Sequence, residues 1–90
     1  SVIGFDRSPV ETIEERQKET LVQESLNRLH PDKRAAVILR YFEGCSYAEI
    51  ARILNKPEGT VKSLVFRGEE DLRTRIGRRL KMDEVSHEPE

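Results

Sequence analysis

The stretch from Tyr47 to Phe66 constrains the fold of this 90-residue chain more than any other segment; its sequence is YAEIARILNKPEGTVKSLVF. Ile50 and Leu54 are spaced to form the apolar side of a short helix. Asn55 follows at a tight turn, where a left-handed backbone favours Gly or Asn. Val61 then lies where a second helix packs back on the first. This spacing is typical of a helix-turn-helix unit.

A first helix precedes this unit. Ser8 offers a capping hydroxyl, and Pro9 lacks only an N–H that the first turn does not use, so the pair predicts a helix start. The predicted helix runs to about Leu29, and His30-Pro31 ends it because the residue before proline is pushed out of helical geometry. Its predicted inward residues are Val10, Ile13, Val22, Leu26 and Leu29.

Two further helices are bounded by local signals. Pro31 begins the second helix and Gly44 ends it. Apolar residues surround much of this helix, which predicts that it is the central, most buried one; they are Ala36, Val37, Ile38, Leu39, Tyr41 and Phe42. Ser46 and Glu49 form a capping box for a short third helix that ends near Leu54.

The fourth helix is predicted from about Glu58 to Leu80. One face of it carries Val61, Val65, Gly68, Leu72 and Ile76. Gly68 permits close packing against a neighbouring helix, and Val61, Leu72, Ile50 and Leu54 are predicted to be buried where the last two helices cross. We therefore expect an all-α, four-helix domain over residues 8–80, with a helix-turn-helix and a long C-terminal recognition helix. Residues 81–90 are expected to form a disordered acidic tail.

Composition narrows the functional classes. Hydrophobic residues are 36% and charged residues 37% of the chain, which suits helices with narrow apolar stripes. The net charge of −1 averages acidic ends and a basic segment between Arg52 and Lys81. No apolar run is long enough for a transmembrane helix, and no secretion leader is recognisable. The single Cys45 excludes an internal disulfide and a Cys-based zinc site, and fits a reducing, intracellular setting.

The chain does not carry the pattern of an enzyme. Catalysis needs a nucleophile with a base, or paired carboxylates in a cleft. The candidates are His30 at a helix break, His87 near the end of the chain, and Cys45 beside a helix-ending glycine. The two histidines are far apart and lack ligands of matching spacing. We predict no enzyme activity, no metal site and no cofactor.

The side of the fourth helix opposite its core stripe has a distinct composition, with Lys62, Ser63, Phe66 and Arg67 near the helix start. Phe66 is either a scattered exposed apolar residue, a residue packed on the first helix, or a contact to a partner. Arg67 can donate to guanine and Ser63 can bond either base type, whereas Lys62 suits a phosphate. For each charged residue alone, a solvated role is the default interpretation.

These residues belong to a longer pattern. The run from residue 26 to 73, LNRLHPDKRAAVILRYFEGCSYAEIARILNKPEGTVKSLVFRGEEDLR, resembles region 4 of bacterial sigma-70-type factors, especially the extracytoplasmic-function (ECF) branch. The resemblance implies a cytoplasmic four-helix domain that recognises the −35 promoter element while attached to RNA polymerase. It also implies that residues 1–7 are the end of a linker from a missing region 2.

The resemblance carries roles to particular positions. Base contacts are implied for Ser63, Phe66 and Arg67, and DNA-backbone contacts for Arg34, Arg40, Thr60 and Lys62. Members of the family also bind the flap of the polymerase beta subunit, and many are silenced by anti-sigma factors. The chain has more apolar residues than one small core needs; the predicted partner surface comprises Val37, Tyr41, Phe42, Leu64 and Phe66.

The sequence departs from the family pattern at two places, and these departures leave alternative functions open. Leu64 stands where relatives usually carry Arg, and Glu69, Glu70 and Asp71 place negative charge in the middle of the fourth helix. Both features predict weak DNA affinity for the domain alone. One alternative is the effector domain of a response regulator, which shares the GTVK start of the recognition helix. The other is a sigma-like module that binds a regulatory protein rather than DNA.

Overall fold

The computed structural model describes residues 12–87 and contains four helices. Their bounds are Ile13–Asn27 (α1), Pro31–Val37 (α2), Tyr47–Leu54 (α3) and Glu58–His87 (α4), with a π-helical turn, Ile38–Phe42, continuing α2. Residues 12–87 contain no strand, and the predicted all-α, four-helix fold is confirmed. The predicted linker, residues 1–7, and the last three residues lie outside the described range. In the described range we find no helix with the length and hydrophobicity needed to cross a bilayer.

Thr12, rather than Ser8, caps the first helix. The Thr12 hydroxyl accepts a hydrogen bond from the Glu15 backbone N–H at 3.0 Å, and Glu15 Oε1 accepts one from the Thr12 N–H at 3.1 Å. Thr12 is extended (φ −86°, ψ 166°), so α1 begins directly after it; the predicted start at Ser8 lies outside the described residues. Ile13 is 76% exposed, so its predicted inward position is wrong: this end of α1 extends beyond the core.

The predicted start and end of α3 are confirmed. Glu49 Oε1 accepts a hydrogen bond from the Ser46 N–H at 2.7 Å, and the Ser46 hydroxyl accepts one from the Glu49 N–H. The first of these bonds stabilises the carboxylate and lowers the pKa of Glu49. At the other end Asn55 adopts φ 57° and ψ 51°, the left-handed conformation expected at the turn. The helix-turn-helix geometry is therefore fixed locally at both ends of α3.

The core consists of two clusters with α2 between them. The recognition cluster, which joins α2, α3 and α4, is Ala36, Ile50, Val61 and Val65. The α1 cluster, which joins α1 and α2, is Leu26, Leu29 and Val37. Ala36 and Val37, which are adjacent in α2, thus face different clusters. This arrangement confirms the predicted central position of α2. Leu54 packs on the recognition cluster as predicted, but Leu72 packs on the α1 cluster instead, because it lies about two turns beyond Val65 and past the end of α3.

A π-helical turn alters the end of the second helix. The Glu43 N–H donates to the Ile38 carbonyl at 3.1 Å, a bond over five residues that widens the turn. Tyr41 is 52% and Phe42 is 60% exposed, so the burial predicted for this helix does not extend to the two aromatic residues at its end. Gly44 follows with φ +74°, and the prediction that it ends the helix is confirmed.

The fourth helix continues to His87, the last described residue, seven residues beyond the predicted end at Leu80. Leu80, Lys81 and Met82 have high helix propensity, and no glycine or proline occurs between Arg78 and Glu88. Acidic composition alone therefore did not locate the end of the helix.

Gly68 lies where α4 packs closely against α2. A Cβ at this position would be 2.7 Å from Val37 Cγ2 and 3.4 Å from the Lys33 carbonyl oxygen. We expect Gly68→Ala to lower the free energy of unfolding by about 1–3 kcal/mol, because the core must move to admit the methyl group. Gly77→Ala is the matched control, since nothing lies within 4 Å of a Cβ there. In thermal melts it should be neutral or stabilising by up to about 1 kcal/mol; equal effects of both variants would contradict the close packing.

Candidate nucleic-acid interface

One face of α4 gathers three residues with predicted roles. Ser63, Phe66 and Arg67 are three and four positions apart, so they lie on one side of the helix. All three are exposed, and Val61 and Val65 are buried on the opposite side. We call this surface the Phe66 face. Phe66 is 59% exposed, which excludes burial of its ring against α1.

The start of α4 lies next to this face. Thr60 is exposed in the first turn, one turn before Ser63. Backbone N–H groups at a helix N-terminus are unpaired and carry partial positive charge, which favours contact with an anion such as phosphate. Glu58 is also in this turn and partly offsets that charge.

Two of the predicted backbone-contacting residues meet at one aromatic ring. The Arg40 guanidinium lies 4.2 Å from the centroid of the Tyr47 ring, and Lys62 Nζ lies 5.7 Å from the same centroid. Arg40 Nη1 also donates to the Cys45 carbonyl at 3.1 Å. The structure therefore brings together cations from the π-helical turn and from α4, residues that are 22 positions apart in the sequence.

Arg34 has a different environment. Its Nη1 donates to the Asn27 carbonyl at 3.2 Å, and the residue is half-buried. Asn27 is the last residue of α1, whose final carbonyls lack partners within the helix. This contact gives Arg34 a structural role at the α1–α2 junction, separate from Arg40 and Lys62 at the Tyr47 ring.

Most of the negative charge in the middle of α4 is paired within the domain. Asp71 Oδ2 accepts a hydrogen bond from Lys33 Nζ at 2.9 Å, which lowers the pKa of Asp71. Glu69 pairs with Arg73 at 3.4 Å. Glu70 is exposed and lies one turn after Phe66 and Arg67, so it is the acidic residue whose charge acts most directly on the Phe66 face.

The predicted partner surface is only partly exposed. Val37 is 2% exposed and belongs to the α1 cluster, so its assignment to a partner surface is wrong. Leu64 is half-buried and packs against the recognition cluster, so only part of its side chain is open to a partner. Tyr41, Phe42 and Phe66 are each more than half exposed. Loss of solvent, followed by the nearby Glu69 carboxylate, raises the pKa of Tyr41, which indicates that Tyr41 lies beside α4.

Tyr47 is the residue of this surface that the sequence did not identify. It is the first residue of α3, packs partly on the recognition cluster and contacts both cations. Spacing within a helix cannot reveal such a contact, because Arg40, Tyr47 and Lys62 lie on three different elements. The sequence did contain a weak signal for this contact: Tyr47 directly follows the helix cap, and the basic residues Arg40 and Lys62 lie before and after it in the sequence.

A short helix, a left-handed turn and a longer helix with an exposed polar and aromatic face together define a helix-turn-helix domain. Residues 19–72 match the family model described as sigma-70, region 4. The match covers more than half of the chain and includes α3, the turn and the first half of α4. The chain belongs to this family and is a region 4 domain of the ECF type.

Curated relatives agree with this assignment. The chain is 36% identical over 62 residues to the ECF RNA polymerase sigma factor BldN of Streptomyces coelicolor, covering 69% of this chain and 24% of that protein. It is 44% identical over 52 residues to the RNA polymerase sigma-H factor of Pseudomonas aeruginosa, and the match covers 58% of this chain and 27% of that protein. The ECF RNA polymerase sigma-E factor of Haemophilus influenzae is 40% identical over 58 residues, and the match covers 64% of this chain and 31% of that protein. The matched part is thus less than a third of each relative.

Proposed function

We propose that this domain recognises the −35 element of a promoter as part of an ECF sigma factor, and so directs RNA polymerase to its start sites. The observation that carries the proposal is the Phe66 face, where an aromatic ring, a guanidinium and a hydroxyl stand exposed together on the second helix of a helix-turn-helix. A helix with this width and these side chains fits the major groove of B-DNA.

Each side chain suits a particular contact. The Arg67 guanidinium can donate to O6 and N7 of guanine, and the Phe66 ring can contact a thymine methyl group. The Ser63 hydroxyl can donate to or accept from a base edge. Thr60, Lys62 and Arg40 suit phosphates that flank the groove, where they fix the position of the helix without specifying sequence.

Selection of duplexes from a random-sequence pool tests the proposal, because the target sequence need not be known. The 90-residue chain should enrich a short motif, and its affinity for that motif should fall steeply as salt rises. Enrichment of no motif, with binding that hardly responds to salt, would instead support the sigma-like module that binds a regulatory protein through apolar contacts.

Glu70 is expected to weaken this binding. Its carboxylate lies on the Phe66 face, so it should repel phosphates at the groove edge. We expect Glu70→Gln to raise affinity for the selected duplex by roughly 2- to 10-fold at low salt, with a smaller gain at high salt. Asp71→Asn is the matched control, because it removes the same charge one residue along α4 from a carboxylate that is already paired with Lys33 within the domain. Equal gains from both variants, measured by fluorescence anisotropy, would contradict this orientation of α4 towards DNA.

The protein partners in this proposal are the flap of the polymerase beta subunit and an anti-sigma factor. Tyr41, Phe42 and Phe66 form exposed apolar surface beside the helix-turn-helix, which is typical of protein contact sites. An anti-sigma factor that covers Phe66 and Arg67 would exclude promoter DNA. A competition experiment tests this: DNA should be released as the anti-sigma factor is added, and a stable ternary complex would rule out occlusion.

A further inference from the structure

Tyr47 is half-buried, and two features of its surroundings distinguish it from the other aromatic residues of this surface. Its ring is held by packing against the recognition cluster, and it also faces two cations from neighbouring elements. The recognition cluster and its packing partners come from α2, the π-helical turn, α3 and α4, so the ring is fixed relative to all of them. Cations within about 6 Å of a ring centroid are attracted to the ring face.

We propose that Tyr47 is a positioning residue that holds the Arg40 guanidinium and the Lys62 ammonium group as a pair of phosphate contacts; this inference rests on the proposed DNA binding. The ring would act as a shared platform between the π-helical turn and the start of α4. It needs no contact with DNA itself, since its effect passes through the two cations.

A ring suits this role better than a carboxylate would. An acidic neighbour would neutralise the cation and occupy its N–H donors, whereas an aromatic face restrains the cation and leaves its charge in place. Lys62 has a long, flexible side chain, and restraining it before binding lowers the entropy lost when it meets a phosphate. Arg40 is restrained twice, by the ring and by the Cys45 carbonyl.

Salt dependence separates positioning from simple packing. When a cation no longer reaches its phosphate, the slope of log affinity against log salt falls by about 0.9. We call this decrease of about 0.9 one step. We expect Tyr47→Leu to reduce the slope by roughly one to two steps, because one or both cations lose their phosphate, and to weaken binding about 3- to 30-fold at low salt. Tyr47→Phe keeps the ring face and should keep the slope. Tyr41→Leu is the matched control, because it removes a neighbouring tyrosine that holds neither cation on its ring.

A double-mutant cycle shows whether the effect passes through the lysine. Lys62→Ala alone should reduce the slope by about one step, but in the Tyr47→Leu background it should reduce it much less. Full additivity of the two changes would overturn the proposal, and so would an unchanged slope in folded Tyr47→Leu.

A measurement without DNA keeps the proposal testable if Tyr47→Leu does not fold, and separates it from DNA binding. In the NMR spectrum of the unaltered chain, the ε-methylene protons of Lys62 should be shifted upfield of those of the other lysines by the ring current of Tyr47. The shift should remain in Tyr47→Phe. If the chemical shift of the Lys62 ε-methylene protons equalled that of the other lysines, the proposal would be overturned whether or not the chain binds DNA. A shifted Lys62 in a chain that binds no duplex would overturn it as well, since no phosphate contact would then exist to be positioned.

Discussion

Ile50→Ala should lower the free energy of unfolding by about 2–5 kcal/mol, the largest stability effect we expect from a single substitution in this chain. Ile50 is fully buried in the recognition cluster, where α2, α3 and α4 meet. Removing its side chain loses apolar burial and leaves a cavity between helices that cannot collapse freely. The free energy of unfolding of a small domain is only about 5–15 kcal/mol in total, so the variant should be close to unfolding at physiological temperature.

Ile53 provides the control for this prediction. It lies on the same helix, three positions along, but is 58% exposed. Ile53→Ala removes the same atoms from a solvated site and should change stability by no more than about 0.5 kcal/mol. Urea denaturation followed by circular dichroism measures both. Similar losses in the two variants would show that α3 is rotated from the orientation described.

Arg67→Ala should weaken binding to the selected duplex by roughly 5- to 150-fold, which corresponds to the loss of a base contact worth about 1–3 kcal/mol. The domain should remain folded, because Arg67 is exposed and lies on the side of α4 away from both core clusters. The effect should be concentrated at one base pair of the site, where the variant should tolerate substitutions that the unaltered chain rejects.

Arg73→Ala is the control for charge. Arg73 is an exposed arginine on the same helix, and its partner is Glu69 within the domain. Its removal changes net charge by the same amount and should have a small effect on affinity. If Arg67→Ala weakened binding to all duplexes equally, Arg67 would contact the backbone rather than a base.

Local signals predicted the helix-turn-helix accurately. The capping box of Ser46 and Glu49, the left-handed Asn55 and the close approach at Gly68 each depend on a few neighbouring residues or on helical spacing. The sequence therefore identified α3, the turn, the start of α4 and its buried side. Helical spacing also predicted that the residues of the Phe66 face lie together on α4, because residues three and four apart on a helix share a side.

The errors arose where tertiary packing decides the outcome. The π-helical turn adds a residue to one turn, so a regular helical projection does not give the exposure of Tyr41 and Phe42. Val37 could not be separated from these residues by apolar character alone, although it is buried. The contact of Arg40 with Tyr47 depends on how the π-helical turn meets α3, which no local pattern encodes.

The central claim is that the Phe66 face of this domain recognises a DNA sequence, and one ratio tests it most directly. The ratio compares the affinity of the 90-residue chain for the selected duplex with its affinity for a base-shuffled duplex of equal length at the same salt concentration. We expect a ratio well above one, and a fall to near one when Ser63, Phe66 and Arg67 are all replaced by alanine in a chain that keeps its helical spectrum. A ratio near one for the unaltered chain, or a high ratio that survives the triple replacement, would contradict the account.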